Sequence, residues 1–215
     1  MKIIAGMATT NERLEYADKA FESIKNQVHD IHIYNNSEGV DRADNGKYWA
    51  LFLYSKEPIY YLTLDDDIIY PADYVDSMLE AVEKHGCIVS HHGRILKGVS
   101  KDYYFDHYAF AFYQENLVER KLDVYGDGVA AFRSDYFNPK DMPFEKQLRM
   151  SDTLVSKKMW EQGKEAILLK HKRMWLKPQP VPRQLTISGT RHKRADEKNK
   201  LADEILKLKN NCIFD

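Results

Sequence analysis

The stretch YYLTLDDDIIYP, residues 60–71, carries an apolar run directly into three consecutive aspartates. The run predicts a buried β-strand that ends at the acidic residues. Three adjacent carboxylates repel one another, so the arrangement requires water or a cation. Side chains two positions apart on a strand share a face, so we expect Asp65 and Asp67 to converge while Asp66 points elsewhere. Two such oxygen ligands suit Mn²⁺ or Mg²⁺, and the alternative is a solvated acidic turn.

The sequence around this stretch alternates short apolar runs with amphipathic segments. KIIAGM, IHIYN, IYYLTL and CIVS predict strands, and residues 11–27 and 72–86 predict helices, the second closed by Gly86. This alternation favours an α/β fold with a mainly parallel, Rossmann-like sheet flanked by helices. Ligands of open α/β sheets bind beyond the carboxyl ends of the strands, which is where the aspartates fall.

The second half of the chain is less regular. KLDVYGDGVAAF, residues 121–132, predicts two strands around a Gly-Asp-Gly turn, and KYWALFLYS, residues 47–55, predicts a short buried helix. A helix capped by Ser151 and stopped by Gly163 follows, and then a strand in EAILLKH. Residues 178–194 are basic and bear prolines, which predicts a loop, and residues 195–211 predict an amphipathic C-terminal helix.

Composition restricts the class of protein. The chain has 215 residues and a net charge of −1, so its overall charge does not indicate a nucleic-acid partner. Cys87 and Cys212 are widely spaced, which fits a reducing compartment better than a disulfide scaffold. The apolar start is too short for a signal peptide or a membrane span. We therefore expect a cytoplasmic protein, from a bacterium or from a phage in its host, without a transmembrane segment.

Several stretches together carry a family resemblance. They are TTNERLEYADKAFESIKNQ, LDDDI, HHGRIL, YGDGVAAF and MSDTLVSKKMW, in that order. With these stretches in this order, the chain resembles, over most of its length, the family-2-like glycosyltransferases with the GT-A fold, of the small bacterial and phage type. The resemblance implies one domain, 1–215: a nucleotide-binding half (1–95), an acceptor half with the basic loop (96–194) and a terminal helix (195–215).

The resemblance also implies an activity. Such an enzyme transfers a sugar from a nucleoside-diphosphate sugar to a hydroxyl acceptor, such as a glycan precursor, with the help of Mn²⁺ or Mg²⁺. Asp65 and Asp67 match the metal-binding Asp-x-Asp motif, with His171, or its rival His192, as a third ligand. Asp152 matches the general base, and one base implies inversion at the anomeric carbon.

The remaining site residues are assigned to donor and acceptor. YNNSEG, residues 34–39, replaces the family's Asp-Asp-Gly-Ser stretch, so an asparagine, or Asp41 on the same loop, would read the nucleobase. Acceptor contacts are expected from His92 and Asp127. The expected donor-binding residues are Thr9, Asn35, Asn36, Asp41, Lys47, Asp65, Asp66 and Arg94.

Three other functions remain open. Residues 164–194 hold nine Lys or Arg and one Glu, which suits a phage enzyme that glycosylates hydroxymethylated DNA bases. A sugar nucleotidyltransferase would need a glycine-rich phosphate loop, whereas AGMATTNER offers only Gly6. The third is a catalytically dead GT-A binding protein. For an active enzyme, we expect residues 186–194 to close over the bound donor.

Overall fold

The computed structural model describes residues 1–54, 57–98, 102–136, 139–144, 146–185 and 195–211. A central sheet of seven strands has the order β2-β1-β3-β10-β5-β11-β8. Its strands are β1 (Ile3–Thr9), β2 (Asp30–Asn35), β3 (Tyr60–Asp65), β5 (Ile88–Ser90), β8 (Arg120–Leu122), β10 (Val129–Arg133) and β11 (Ala166–Leu168). The helices are α1 (Leu14–Ile24), α2 (Tyr74–His85), α3 (Ser151–Glu161) and α4 (Ala195–Asn211).

Five strands of the central sheet run in one direction. β2, β1 and β3 pair in parallel, as do β5 and β11, whereas β10 and β8 run the opposite way. The α/β architecture predicted from the sequence is confirmed, with one antiparallel strand in the middle of the sheet. Since β1, β2 and β3 are parallel, their last residues Thr9, Asn35 and Asp65 lie at the same edge.

Two small sheets complete the fold. One contains β6 (Gly93–Leu96), β7 (His107–Phe110) and β9 (Val124–Tyr125), and the other pairs β4 (Ile68–Ile69) with β12 (Lys177–Pro178). β12 overlaps the first residue, Pro178, of the segment predicted as a loop. Its pairing with β4 fastens the beginning of that segment beside the acidic stretch.

Apolar residues cover the central sheet on both faces because strand side chains alternate between them. Tyr61 and Phe132 face a cluster that includes Tyr48, Leu51, Leu154 and Val155. Leu62 and Leu64 face the opposite cluster, which contains Ala20 and Ile24 of α1 and Met78 and Val82 of α2. A third cluster holds α4 through Ala202 and Ile205 against Leu96 and Val124. No described helix has the length and apolar character needed to cross a bilayer.

The helix ends agree with the sequence at two of three positions. Gly86 and Gly163 have φ angles of 62° and 64°, the left-handed conformation expected of helix stops. Ser151 was predicted to cap α3, but it is the first helical residue and its side chain makes no cap bond. Its hydroxyl instead contacts Asp44 and Asp127.

A 3₁₀ helix, Ala43–Phe52, crosses the sheet where a short buried helix was predicted. It packs directly on Gly6 of β1. A Cβ atom at Gly6 would lie 1.9 Å from the Lys47 carbonyl oxygen and 2.1 Å from the Tyr61 hydroxyl oxygen. The Tyr61 hydroxyl donates to that carbonyl at 2.5 Å. The missing side chain at Gly6 therefore allows the approach that places Lys47.

We expect Gly6→Ala to lower the free energy of unfolding by about 3 kcal/mol or more, because backbone atoms must move to admit the methyl group. Gly86→Ala is the matched control: nothing lies within 4 Å of its Cβ position, and only the left-handed backbone opposes it, by about 1–2 kcal/mol. Urea unfolding of both variants measures the difference. Equal losses would contradict the close packing at Gly6.

Candidate active site

A pocket of about 800 Å³ lies at the carboxyl ends of β1, β2 and β3. Its wall contains Thr9 at the end of β1, Asn36 after β2, and all three aspartates at and after the end of β3. Arg13, Asp41, Asp44, Lys47, Tyr113, Arg149 and Leu185 are among the other residues of the wall. The predicted site at this sheet edge is thus a concave, strongly charged surface.

Each aspartate of the acidic triplet faces a cation. Lys47 Nζ lies 2.5 Å from Asp65 Oδ1, and Arg13 Nη2 lies 3.0 Å from Asp67 Oδ2. The same Arg13 nitrogen pairs with Asp66 Oδ1, while the Thr9 hydroxyl donates to Asp66 Oδ2 at 2.7 Å. The sequence predicted that Asp66 points away from its neighbours, but Asp66 and Asp67 meet on the same Arg13 nitrogen, and Asp66 is 4% exposed. The strand ends at Asp65, so the alternation of strand side chains does not extend to Asp66 and Asp67. The contacts of Asp66 indicate that it holds the Arg13 side chain in place.

Lys47 is the buried cation of the site. It is 3% exposed, and its ammonium also lies 3.5 Å from Asp127 Oδ1. Burial alone would lower the pKa of Lys47, but the Asp127 and Asp65 carboxylates outweigh burial and raise it. The pKa of Asp65 would likewise rise on burial, but the Lys47 charge holds it below its usual range. Lys47 and Asp65 therefore remain an ion pair at neutral pH.

The Gly-Asp-Gly turn, residues 126–128, brings Asp127 and His92 close to Asp65. A Cβ at Gly128 would lie 1.8 Å from Asp65 Oδ2, and one at Gly126 would lie 2.4 Å from His92 Cδ2. The two glycines therefore make room for the Asp65 carboxylate and the His92 ring. Burial, together with the Arg94 charge, lowers the pKa of His92 to about 4, so this imidazole is neutral.

Asp152, the predicted base, is held by cations. Arg94 Nη1 lies 3.2 Å and Lys198 Nζ 3.6 Å from its carboxylate, and the backbone amide of Thr153 donates to it at 2.8 Å. Burial would raise the pKa of Asp152, but Lys198 and Arg94 outweigh it and hold the pKa well below the usual range. A carboxylate so strongly stabilised is a weak proton acceptor. Neither Asp152 nor its partner Arg94, expected at the donor, is among the residues that line the pocket, and the same is true of Asp127 and His92.

His171, the predicted third metal ligand, lies elsewhere. Its Nδ1 is 3.2 Å from His91 Nδ1, in a buried cluster with Trp175 and Tyr74. It follows β11, and β10 and β5 separate that strand from β3. The structure therefore does not bring His171 to Asp65 and Asp67. His192 lies outside the described residues, as does the expected closing segment 186–194.

The polar loop after β2 is braced by its own amides. Asn36 lines the pocket, and its side chain bonds the carbonyl of Ala43 and the amide of Arg42. Asn35 is not among the lining residues; its amide nitrogen donates to Asn11 and Glu38. Asp41 lines the pocket. Of the three candidates for reading a nucleobase, Asn36 and Asp41 therefore reach the pocket.

A divalent ion was predicted at the carboxylates of Asp65 and Asp67, both of which line the pocket. Among the described contacts, each has one oxygen on a cation and one, Asp65 Oδ2 or Asp67 Oδ1, without a hydrogen-bond partner. Burial raises the pKa of Asp67, and the Asp65 charge raises it further. Within the described ranges no group of three or more His, Cys, Asp or Glu side chains could hold a metal. An ion here would complete its shell with water and substrate phosphate, as Mg²⁺ commonly does.

The structure adds three site residues that the sequence did not single out. Arg13 looked like part of an amphipathic helix, and Asp44 looked like part of a polar loop. Ser151 was assigned to a helix cap, because the sequence pattern alone does not distinguish that role from a role in the site. Arg13 pairs with two aspartates of the triplet, and Ser151 joins Asp44 to Asp127. Only the folded arrangement reveals these contacts, because their partners are 24 to 107 positions away.

Comparison with known proteins gives little further information. No known family matches the chain, and no curated protein matches it. Among solved structures, the crystal structure of A197 from STIV is similar at 14% sequence identity and a TM-score of 0.40, covering 82% of this chain and 83% of that one. A similarity of this degree identifies neither a family nor an activity.

The His91–His171 pair gives a prediction about acid stability. Burial and the His171 charge lower the pKa of His91 to about 3, whereas an unfolded histidine titrates near ~6.5. The unfolded state therefore takes up a proton that the folded state excludes, and stability should fall as pH drops below ~6.5. This histidine should contribute a loss of about 2 kcal/mol at a pH about 1.5 units below that value.

Urea unfolding across this pH range measures the effect as a difference between variants. His91→Phe should show a shallower fall of stability with acid than the wild type, and the exposed control His29→Gln should keep the wild-type slope. A wild-type slope in His91→Phe would contradict the lowered pKa.

Proposed function

We propose that the protein is a metal-dependent, inverting glycosyltransferase with a GT-A fold. It would transfer a sugar from a nucleoside-diphosphate sugar to a hydroxyl acceptor such as a glycan precursor, in the cytoplasm. The observation that carries the proposal is the position of the three aspartates and two cations in a pocket at the carboxyl ends of parallel strands. The order of motifs in the sequence supports it independently.

Residues of the first half would bind the donor. Asp65 and Asp67 would hold Mn²⁺ or Mg²⁺, which, when bound, neutralises the leaving diphosphate as a Lewis acid. Lys47 and Arg13 add positive charge beneath the same surface, and Asn36 and Asp41 lie on the wall where a nucleobase could be read. Thr9 and Asp66 fix the orientation of Arg13 and so belong to the support of the donor site.

Residues after 95 would complete the site on the acceptor side. Asp127 shares Lys47 with Asp65, and the Gly-Asp-Gly turn packs against both Asp65 and His92, next to the pocket. Since His92 is neutral, it can donate or accept a hydrogen bond without changing the charge of the site. Arg94 and Asp152 would support this side by bracing α3 and β6 rather than by touching the donor.

A nucleotide-binding experiment tests the proposal. Thermal unfolding is followed with UDP, GDP, CDP, ADP and dTDP, each with Mn²⁺ and with a chelator. One diphosphate should stabilise the protein in the presence of Mn²⁺, by about 2.7 kcal/mol at a hundredfold excess over its dissociation constant. Most of this gain should disappear with the chelator.

Two variants make the test specific. Asp67→Asn should abolish the Mn²⁺-dependent stabilisation, because it removes a ligand charge without changing the shape of the side chain. Asp76→Asn is the matched control, since Asp76 lies exposed on α2 away from the pocket. Stabilisation by nucleotide that is equal in Asp67→Asn and in the wild type would refute the metal site.

A further inference from the structure

The hydroxyl of Ser151 lies between two carboxylates. Its oxygen is 2.7 Å from Asp44 Oδ2 and also hydrogen-bonds Asp127 Oδ2. A serine hydroxyl has one hydrogen, so it can donate to only one of the two. The other contact is a hydrogen bond only if that carboxyl carries a proton and donates to the serine. With both groups ionised, a negative oxygen would face the serine lone pairs.

The surroundings decide which carboxyl holds the proton. Asp44 Oδ1 is buried and has no hydrogen-bond partner among the described residues, so an ionised Asp44 would leave a charged oxygen unsatisfied. Asp127 Oδ1 instead faces the Lys47 ammonium at 3.5 Å. The proton therefore belongs on Asp44 Oδ2, which donates to Ser151, and Ser151 donates to Asp127.

The charged groups around the two carboxyls agree with a retained proton. Lys47 of the 3₁₀ helix and Asp65 of β3 face Asp127, and Asp152 of α3 and Lys198 of α4 face Asp44. Burial has the largest effect on the pKa of Asp127 and raises it to about 7. The Lys47 charge opposes this rise, and the Asp44 charge adds a smaller increase. Burial also raises the pKa of Asp44, with Ser151 and Lys47 opposing it.

We propose that Asp44, Ser151 and Asp127 form one proton-sharing unit, protonated on Asp44 and ionised on Asp127, and that Asp127 accepts the proton of the acceptor hydroxyl. The second part rests on the proposed glycosyl transfer. In that step the acceptor O–H bond breaks and its proton passes to Asp127. The acceptor oxygen forms a bond to the anomeric carbon, and the bond from that carbon to the diphosphate breaks, with its electron pair leaving on the diphosphate.

Asp127 suits this role better than Asp152. Both side chains are about equally exposed, at 14% and 13%. However, Asp152 faces two cations and a backbone amide, which stabilise its charged form, whereas Asp127 shares Lys47 with Asp65. A group whose pKa lies near the working pH exchanges a proton most effectively. Asp127 also directly precedes Gly128, whose backbone lies against the Asp65 carboxylate, where the leaving diphosphate is proposed to bind.

Infrared difference spectroscopy tests the proton-sharing unit without any ligand. The carbonyl stretch of a protonated carboxyl is resolved from carboxylate bands, so the wild type at neutral pH should show one such band that is absent from Asp44→Asn. The matched control is Asp41→Asn, an exposed carboxyl on the same loop, which should keep the band. A wild-type spectrum that Asp44→Asn leaves unchanged would overturn the unit.

Donor turnover tests the base. With UDP-sugars, GDP-sugars and Mn²⁺, release of nucleoside diphosphate by Asp127→Asn should fall by ~100-fold or more, while binding of the diphosphate with Mn²⁺ is retained. Asp44→Asn should lose much less, because its amide can donate to Ser151 as the protonated carboxyl does. Wild-type turnover in Asp127→Asn, or equal losses in both variants, would overturn the assignment. A wild type inactive with every donor would count against the proposed function, and the infrared spectra would still decide on the unit.

Discussion

The ion pair between Lys47 and Asp65 is the constraint on which the rest of the site depends. A lysine that is 3% exposed is strongly unfavourable unless carboxylates surround it. Asp65 and Asp127 supply those carboxylates, and each comes from a different strand end. Removing either would leave the buried Lys47 ammonium with only one carboxylate. The acidic triplet is therefore tolerated at the end of a core strand because the fold delivers cations to it, Lys47 from one side and Arg13 from the other.

Backbone geometry provides the space for this pair. Gly6 lets the 3₁₀ helix approach β1 closely enough to place Lys47 under the sheet edge, and Gly128 leaves room for the Asp65 carboxylate. The antiparallel strand β10 begins directly after the Gly-Asp-Gly turn and lies beside β3, so Asp127 arrives next to Asp65. The middle of the sheet thus positions Asp127, the proposed acceptor-side carboxylate, next to Asp65, which is proposed to serve the donor. The sheet topology therefore determines which charged side chains meet at the site.

Parts of this arrangement were predictable from the sequence, and others were not. Hydrophobic alternation predicts the parallel strands and the residue at which each strand ends. It therefore places Thr9 and Asp65 at the same edge of the sheet. Periodicity does not report which distant side chains meet. It therefore assigned Ser151 to a helix cap, although its hydroxyl faces two carboxylates. It also did not identify Arg13 as the cation that pairs with Asp66 and Asp67. His171 was a plausible ligand by its position in the chain, but the intervening strands β10 and β5 hold it in the core.

The central claim is that the pocket binds and activates a nucleoside-diphosphate sugar. The most direct measurement is the release of nucleoside diphosphate from a panel of UDP-, GDP-, CDP-, ADP- and dTDP-sugars by the purified protein with Mn²⁺. We expect release from donors of one nucleotide, dependent on Mn²⁺ and lost in Asp67→Asn. No release from any donor above the level of Asp67→Asn would contradict it.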